Sequence, residues 1–465
     1  MLISPDKYFR VCNGEVLRDI DELYESLKYM DDKIFRFHVN ENKNDFANWI
    51  KYVWLEPELA TKLYKTKDKQ KILDILRNRK EFRILVFNAG HKSLKFKLIN
   101  TRNQEAEISG IIDNIGKGNS TLTMGEIERK LSINDHVEAV NYVITSLKNV
   151  GMFNQNNFIN AIAYRVAHGG EFYHEPVIVT PEVISKIKDL SEFAPLNNPP
   201  TVSVILAAMH SMPEKKHIAV FDTAFHADIP KEVFLYGLPY EFYKKYKIRK
   251  YGFHGISHKY LSRKAEELLG KTDSQIITCH LGNSSSITAI DSGQSMDTSM
   301  GFTPLDGLIM GTRSGELDPE IILYLLRTGD YTIEQLEKIL YEDSGLKGIT
   351  GYSDVRDLWK ATQKGDKMAE LALDMLCYRI ARYIGGYMTI LHNLDCIVFS
   401  GGIGENAHYV REKVCRALEF AGVRIDLEKN KKNETDITAK ASKIKVYIIP
   451  TNEELEIATE CLRFF

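Results

Sequence analysis

Three glycine-containing loops constrain the fold of this chain more than any other feature of its sequence. Each loop directly follows a short apolar run, in the stretches ILVFNAGHKSLKFKLI (84–99), IITCHLGNSSSITAI (276–290) and IVFSGGIGEN (397–406). In the first two stretches a second apolar run leaves the loop. This pattern predicts a β-hairpin whose tip offers backbone N–H groups and hydroxyls to an anion such as phosphate.

The third loop differs from the other two because it opens a helix. Val410, Val414 and Ala417 keep helical spacing after it, and Gly422 follows as a stop signal. A single Gly-Ser turn between strands is usually only a turn. The recurrence of the hairpin, together with a glycine turn before a helix, therefore predicts a duplicated fold that closes on a nucleotide.

Composition and charge exclude several classes of protein. At 465 residues with 44% hydrophobic residues, the chain is long enough for about two to four domains with sizeable cores. A net charge of -2 argues against a nucleic-acid-binding surface, which needs clustered basic charge. No apolar run is long enough to span a membrane, and the N-terminus has no secretory signal pattern. Six scattered cysteines without CxxC spacing predict reduced thiols, no zinc site and a cytoplasmic protein.

Residues 1–80 differ from the rest of the chain. They contain two of the three tryptophans, and apolar positions such as Leu23, Leu27, Trp49 and Trp54 have helical spacing. We therefore predict a small helical module at the N-terminus.

After this module, apolar β-rich runs alternate with helical patterns. The predicted strands lie at 84–87, 161–166, 217–221, 276–279, 396–399 and 446–449, and the predicted helices at 183–187, 260–269 and 368–390. Such alternation is typical of an α/β architecture with largely covered sheets. With the repeated hairpin, it predicts two lobes with a cleft between them.

Two arginines stand among small residues that let a ligand approach closely. Arg165 lies in AYRVAHGG and Arg313 lies in MGTRSGELDP. A guanidinium can bind a carboxylate or a phosphoryl group in two-pronged fashion, and phosphoryl transfer without a Walker motif depends on such positioning and charge neutralisation. For Arg165, an ion pair that braces the sheet is an equally good interpretation.

Acidic residues and a histidine complete the candidate chemistry. Asp222 ends the apolar stretch HIAVFD, where an acid faces a cleft or caps the following turn. The acids after VYIIPTN begin at Glu453 and are as well explained as the first turn of the last helix, capped by Thr451 or Asn452. His254, in YGFHGISH, could donate to a phosphoryl oxygen, although a histidine among aromatic residues is usually a packing residue.

From residue 82 to its end, the chain resembles the acetate kinase family, of the acetate and sugar kinase, Hsp70 and actin superfamily. The stretches that carry the resemblance occur in the family's order: FNAGHKSLK, YRVAHGG, FAPLNNPP, VFDTAFH, RKYGFHGISHKYLS, CHLGNSSSITAI, TSMGFTPLDGLIMGTRSGELDP, YSDVRDL, FSGGIGEN and IPTNEE. The resemblance implies a duplicated actin-like ATPase (ribonuclease H-like) fold with two lobes around a nucleotide cleft.

The resemblance also implies an organisation and an activity. The expected units are the helical module at 1–80, lobe I at 81–226 joined by the C-terminal helix at about 452–465, and lobe II at 227–451 with the nucleotide pocket. ATP and acetate, or another short carboxylate, would exchange a phosphoryl group and give ADP and an acyl phosphate, with Mg²⁺ or Mn²⁺. A homodimer is expected, with no nucleic-acid or membrane partner. The open slot at Gly402 and Ile403 favours ATP over pyrophosphate as the donor.

Individual residues match the family's functional positions. Those that match the catalytic group are Asp222, Arg313, Arg165 and His254. Those that match the substrate pocket, where Arg165 binds the carboxylate, are Ala167, Leu196, Phe253 and Pro304. Those that match the nucleotide site are Asn88, Ser93, Lys95, His280, Gly282, Asn283, Asp354, Arg356, Gly402, Ile403 and Asn406. Those that match the magnesium-organising group are Asn88, Asp222 and Glu453.

The chain departs from the family pattern at several positions. They are His91 and Lys92 in place of two loop serines, Ala163 and Tyr164 in place of Gly-His, Ala167 in place of valine, Asn197 in place of histidine, and Ser284 in place of glycine. The smaller Ala167 predicts that the methyl pocket admits propionate more readily than is typical of the family. An amide at Asn197 cannot carry charge, which weakens transition-state stabilisation.

Two alternatives to an acetate kinase stay open at this point. One is a propionate or other short-chain acyl kinase of the same fold. The other is a catalytically impaired nucleotide-binding sensor in which the N-terminal module does the work. That module resembles a small helical domain of unassigned function seen in some archaeal and bacterial chains, so its partner is unknown.

Overall fold

The computed structural model of the chain describes residues 4–77, 81–151 and 159–465. The N-terminal module consists of a two-stranded hairpin and five helices: β1 (Phe9–Arg10), β2 (Val16–Leu17), α1 (Ile20–Tyr29), α2 (Asp32–His38), α3 (Asp45–Tyr52), α4 (Pro57–Tyr64) and α5 (Lys69–Arg77). The helices begin at capping residues; for example, the Asp19 side chain accepts a hydrogen bond from the Glu22 backbone N–H.

The module has a hydrophobic core of its own. Side chains from its hairpin and all five helices are buried together, among them Leu17, Leu23, Leu27, Phe35, Phe46, Ile50, Leu63 and Leu76. The prediction that the N-terminal module is small and mainly helical is therefore confirmed. Trp54 is an exception to the spacing, because α3 ends at Tyr52 and Trp54 packs edge-on against Trp49 beyond the end of that helix.

The first lobe is built on one large mixed sheet. Its elements in chain order are β3 (Arg83–Ala89), β4 (Ser93–Asn100), β5 (Glu105–Asp113), β6 (Ser120–Met124), β7 (Ile127–Leu131), α6 (His136–Asn149), β8 (Ala161–Val166), β9 (Val177–Ile178), α7 (Pro181–Asp189), α8 (Asn198–Ser211) and β10 (Lys216–Phe221). Within the described residues the strand order is β7-β6-β5-β4-β3-β8-β10-β9. Helices α6, α7 and α8 bury one face of this sheet.

Three helices follow the first lobe, and a second sheet with its own helices comes after them. The elements are α9 (Lys231–Phe234), α10 (Tyr240–Tyr246), α11 (Gly255–Leu269), β11 (Gln275–Leu281), β12 (Ser285–Asp291), β13 (Gln294–Thr298), α12 (Pro319–Thr328), α13 (Ile333–Glu342), α14 (Gly345–Thr350), α15 (Val355–Gln363), α16 (Lys367–Met388), β14 (Cys396–Ser400), α17 (Gly401–Asn406), α18 (His408–Ala417), α19 (Leu427–Lys431), β15 (Lys445–Ile448) and α20 (Glu453–Cys461). The strand order is β13-β12-β11-β14-β15.

The two sheets share one topology. In each, three antiparallel strands are followed by two strands parallel to the first, so β5-β4-β3-β8-β10 corresponds to β13-β12-β11-β14-β15. Asn88 of β3 and His280 of β11 stand at equivalent places, since Asn88 lies beside Arg165 and His280 lies beside Ser400 in the parallel pairs. The predicted duplicated α/β fold is confirmed.

Helices α11 and α20 lie between the two sheets. Their apolar side chains share one buried core with strands of both lobes, including Leu261, Ile457, Ile84 and Ile276. The last helix thus returns to the first sheet. The domain limits stay a prediction, and Lys80, where the module was predicted to end, lies outside the described residues.

The predicted elements all correspond to observed ones, with small shifts at their ends. The two hairpin stretches form β3–β4 and β11–β12. The helical run after the third loop is interrupted at Ala407, so that it forms α17 and α18, and Gly422 ends the following turn at φ +90°. Across the described ranges, no helix is both long and apolar enough to cross a membrane.

Candidate active site

A buried ion pair lies where two parallel strands of the first lobe end. Arg165 is near the end of β8, and Asp222 directly follows β10. Arg165 Nη2 donates to Asp222 Oδ2 at 2.7 Å, and the His254 backbone N–H donates to the same oxygen at 2.9 Å. The Asp222 side chain is only 1% exposed. Its other oxygen, Oδ1, is buried and makes no hydrogen bond within the described residues.

Glu453 joins this pair from the first turn of α20. Its Oε2 lies 3.6 Å from Arg165 Nε. Burial raises the pKa of Glu453 to about 7, and the nearby Asp222 acts in the same direction while Arg165 opposes it. Asn452 caps α20, as its side chain accepts from the Leu455 backbone N–H at 3.2 Å. Both interpretations of Glu453 therefore hold together: it is an acidic first-turn residue and it belongs to the buried cluster.

His254 is held by a chain of hydrogen bonds that runs into the second lobe. His254 Nδ1 lies 2.9 Å from Ser286 Oγ, which lies 2.7 Å from His258 Nε2. His258 Nδ1 in turn lies 2.7 Å from Thr278 Oγ1. When Thr278 donates to His258, His258 to Ser286 and Ser286 to His254, Nδ1 of His254 accepts the last hydrogen bond. The ring proton of a neutral His254 is then on Nε2, from which it can be donated to an anion.

The environment of His254 keeps its imidazole neutral. Burial lowers its pKa well below the usual value, and His280, His258, Arg165 and Arg313 add to this effect. The residue also adopts a left-handed backbone conformation at φ +57°, directly before α11. A packing role alone does not explain this strain, which is found more often at functional sites.

Arg313 reaches the second hairpin from the opposite side of the cleft. Its Nη1 donates to Ser284 Oγ at 3.0 Å and to the Pro304 carbonyl oxygen at 3.5 Å. Within the described residues Arg313 forms no ion pair with a carboxylate. Burial lowers the pKa of Arg313, yet a guanidinium stays protonated at any working pH. The site thus holds an unpaired, half-buried cation.

The two hairpin tips differ from the prediction in one detail. The Gly90 N–H bonds to the Ser93 carbonyl at 2.9 Å, and the Gly282 N–H bonds to Ser284 O and Ser285 Oγ, both at 3.2 Å. These two N–H groups close the turns themselves, so an anion must be bound by the other donors of the tips. His280, beside the second tip, is half-buried; its Nδ1 lies 2.8 Å from Ser257 Oγ, and desolvation lowers its pKa to about 4.

The first tip presents cations to solvent. His91, Lys92 and Lys95 are exposed and Ser93 is half-buried. His136 Nε2 donates to the Gly90 carbonyl at 2.9 Å and braces the turn from behind. Lys95 lies within electrostatic range of Glu453, so the tip and the acidic cluster belong to one region.

The predicted substrate pocket is only partly enclosed. Ala167 and Phe253 are buried, and Pro304 is half-buried beside Arg313. Phe253 packs with Met300 and Met310 in a small apolar cluster. Leu196, in contrast, is 56% exposed.

The predicted nucleoside residues lie on two neighbouring helices of the second lobe. Gly402, Ile403 and Asn406 belong to α17, where Asn406 Nδ2 donates to the Gly402 carbonyl at 3.0 Å. Asp354 caps α15 and forms an ion pair with Arg356 at 2.6 Å.

A stacked aromatic pair joins α15 to α18, the helix that follows α17 in the chain. Trp359 of α15 and Tyr409 of α18 stack at 4.1 Å between ring centroids, and the Tyr409 hydroxyl donates to the Val355 carbonyl at 3.1 Å. These two contacts fix α15 relative to α18.

The donor set fits a magnesium ion that also binds substrate phosphates. Within the described residues no cluster of three or more His, Cys, Asp or Glu could form a complete metal cage. Mg²⁺ usually takes one or two carboxylates and completes its shell with water and phosphate oxygens. The unbonded Asp222 Oδ1 and the Glu453 carboxylate match this need, and Asn88 lies beside Arg165 in the sheet register.

The sequence analysis gave no role to the residues that hydrogen-bond to the candidate catalytic side chains, directly or through a neighbour. His258, Ser286 and Thr278 form the chain behind His254, and Ser284 contacts Arg313. Spacing alone gives no firm signal for His258, because His254, four residues earlier, lies outside α11 in a left-handed conformation. The role of Ser284 has no local signal, since Arg313 is distant in the chain.

Fold and site together define a two-lobed phosphotransferase of the actin-like ATPase fold. The sequence model of the acetokinase family matches residues 83–459, and the chain belongs to that family. It is 46% identical over 394 residues to the acetate kinase of Acetivibrio thermocellus, which covers 82% of this chain and 98% of that protein. The acetate kinase of Treponema denticola is 44% identical over 392 residues, covering 82% of this chain and 99% of that protein.

Solved structures agree with the sequence matches. A propionate kinase from Francisella tularensis superposes with a TM-score of 0.78 at 39% identity, covering 82% of this chain and 98% of its own. The acetate kinase of Porphyromonas gingivalis gives a TM-score of 0.77 at 36% identity, covering 82% and 99% respectively. The family match begins at residue 83, after the N-terminal module.

Proposed function

We propose that this chain is an ATP-dependent acetate kinase. An acetate carboxylate oxygen attacks the γ-phosphorus of ATP, the bond from that phosphorus to the β–γ bridging oxygen breaks, and ADP and acetyl phosphate form; the reverse reaction gives ATP. The observation that carries the proposal is the buried pair of Arg165 and Asp222 in a duplicated α/β fold, beside a His254 that also lies within electrostatic range of Arg313. The names of the relatives support acetate as the acceptor.

The two arginines carry most of the proposed chemistry. Acetate and a triphosphate repel each other, and their approach in line needs fixed positive charge. Arg165 binds the acetate carboxylate, and Arg313 stabilises the charge of the phosphoryl group in transit. The neutral His254 donates through Nε2–H to the same group without adding a charge that must be desolvated.

The metal and nucleotide residues complete the proposal. Bound Mg²⁺ would spread the negative charge of the phosphates, and Asp222, Glu453 and Asn88 are the residues that would hold it. Mn²⁺ has similar ligand preferences. Ser93, Lys95, His280, Gly282 and Asn283 would contact the phosphates from the two hairpins. The pocket between α15 and α17 would take the nucleoside.

Propionate is the second candidate substrate. Ala167 stands where family members have valine, and a solved relative at 39% identity is named a propionate kinase. One methylene changes specificity by only about 1–3 kcal/mol. A single pocket residue such as Ala167 can therefore decide whether acetate or propionate is the better substrate.

Assembly and location follow as proposals from the surface. None of the side chains of α12 is buried, although Ile321, Leu323 and Tyr324 lie on it, and Ile333 of α13 is 69% exposed. An apolar patch of this kind is usually covered by a partner, which supports a homodimer.

We place the protein in the cytoplasm because its six cysteines are free thiols in the structure.

The N-terminal module and the unit limits 1–80, 81–226 with the C-terminal helix, and 227–451 stay proposals. Lys71 of the module donates to Thr272 Oγ1 at 3.4 Å, which places α5 against the C-terminal end of α11. This contact supports a module that braces the kinase body or docks a partner beside it.

The test is a hydroxamate assay for acyl phosphate with ATP, Mg²⁺ and either acetate or propionate. We expect turnover with acetate by the full chain and a loss of at least two orders of magnitude in Arg313→Ala, the usual scale for one transition-state donor. Failure of the full chain with both acids, together with tight ATP binding, would favour the nucleotide-binding sensor instead.

A further inference from the structure

Ser284 and Arg313 connect two parts of the cleft that are separate in the sequence. Ser284 lies at the tip of the β11–β12 hairpin, and Arg313 lies in the long connection between β13 and α12. Their side chains meet through the hydrogen bond of 3.0 Å from Arg313 Nη1 to Ser284 Oγ. This contact joins the hairpin proposed to bind phosphate to the cation proposed to stabilise the transferring group.

The hydrogen bonds of Arg313 leave one edge of its guanidinium for a ligand. Nη1 has two protons, and its partners are Ser284 Oγ at 3.0 Å, the Pro304 carbonyl oxygen at 3.5 Å and, more distantly, the Met310 sulfur at 4.0 Å. The guanidinium carries five N–H donors in a planar fork. Nε and Nη2 hold the other three, and these make no hydrogen bond within the described residues. Because Nη1 is tied at two points, the plane of the fork is fixed.

Ser284 is suited to hold this position. Its hydroxyl proton faces the Met310 sulfur at 3.9 Å, so the lone pairs of the oxygen are left for Arg313. Its backbone carbonyl accepts from the Gly282 N–H at 3.2 Å, which fixes Ser284 within the turn. A glycine at this position, as in the family pattern, has no hydroxyl and leaves Nη1 with the Pro304 carbonyl and the Met310 sulfur, at 3.5 and 4.0 Å.

We infer that Ser284 is a positioning residue for Arg313. Its hydroxyl aims the Nε–Nη2 edge at the reacting groups before substrate arrives, and it couples the position of the arginine to the second hairpin. This inference rests on the proposed kinase function. A fork held in advance loses less conformational entropy when it binds an anion, so the effect falls on the chemical step rather than on nucleotide binding.

The test compares Ser284→Ala, Ser284→Gly and Ser284→Thr in the full chain. Removal of one hydrogen bond to a charged group is expected to lower kcat with acetate about tenfold, while KM for ATP changes less than about twofold. Ser284→Thr keeps the hydroxyl and restores most of kcat. Ser203→Ala, which removes a hydroxyl bonded to the Pro199 carbonyl on α8, is the matched control and leaves kcat unchanged.

A double-mutant cycle isolates the contact. In an Arg313→Lys background the fork is absent, so Ser284→Ala should have little further effect on kcat. An unchanged or raised kcat in Ser284→Ala, an equal loss in Ser284→Thr, or full additivity with Arg313→Lys overturns the inference. These results differ from a failure of the proposed function, in which the unmodified chain makes no acyl phosphate. Melting temperatures of the three variants separate a loss of fold from a loss of positioning.

Discussion

Arg165 offers the sharpest test, because it pairs with a buried carboxylate and is also the residue proposed to bind the substrate carboxylate. Its partner Asp222 is 1% exposed and 2.7 Å away. Removal of one member of a buried ion pair leaves the other charge uncompensated, which costs about 3–5 kcal/mol of unfolding free energy. We therefore expect Arg165→Ala to be destabilised by this amount.

Neutralising the partner should recover much of that loss. Asp222→Asn keeps an acceptor for the His254 N–H and removes the buried charge. The double variant Arg165→Ala/Asp222→Asn should be more stable than Arg165→Ala by about 2 kcal/mol or more, since replacement of both partners avoids the desolvation penalty. It should nevertheless make no more acyl phosphate than Arg165→Ala, because the substrate carboxylate still lacks its cation.

The unfolding free energy is measured by urea unfolding monitored by circular dichroism. Acyl phosphate formation is measured on the same samples by the hydroxamate assay. Arg165→Lys is the matched control, because it keeps the charge and loses the planar fork. It should be nearly as stable as the unmodified chain and much less active. The reasoning fails if Arg165→Ala is as stable as the unmodified chain, or if the double variant is no more stable than Arg165→Ala.

Three further predictions concern other parts of the site. Glu453 binds its proton more tightly when folded, with a pKa of about 7 against an ordinary value of 4.5. The ligand-free chain should therefore lose stability as pH rises from 4.5 to 7, and Glu453→Gln should flatten this slope in melting-temperature profiles; an identical slope in the variant would contradict the assignment. At Gly402 a Cβ atom meets open space, so Gly402→Val should keep the melting temperature and raise KM for ATP at least tenfold, the scale of a blocked contact; an unchanged KM would place the nucleoside elsewhere. Ala167→Val should lower the ratio of kcat/KM for propionate to that for acetate by about tenfold, and an unchanged ratio would show that Ala167 does not line the methyl pocket.

The fold class could be predicted from the amino-acid sequence, which also supplied the candidate site residues. Short apolar runs located the strands and helical spacing located the helices, because burial imposes these patterns on covered strands and on one face of a helix. The hairpins that contain Asn88 and His280 were visible as apolar runs around a glycine turn. Arg165, Asp222 and Arg313 stood out because charged residues in apolar or glycine-rich surroundings need a partner or a ligand.

The tertiary structure decided which of the open interpretations hold. Whether Arg165 braces the sheet or faces a ligand depends on the distance to Asp222, which the parallel pairing of β8 and β10 sets. The N–H groups of Gly90 and Gly282 close their own turns, a matter of loop geometry that composition does not fix.

The links between distant residues were also decided only by the fold. The bond from Ser284 to Arg313 and the chain from Thr278 to His254 join residues that the connections between the strands bring together. A sequence pattern reports which face of an element is buried. It does not report which side chains of separate elements meet, because that depends on the packing of the two lobes around α11 and α20.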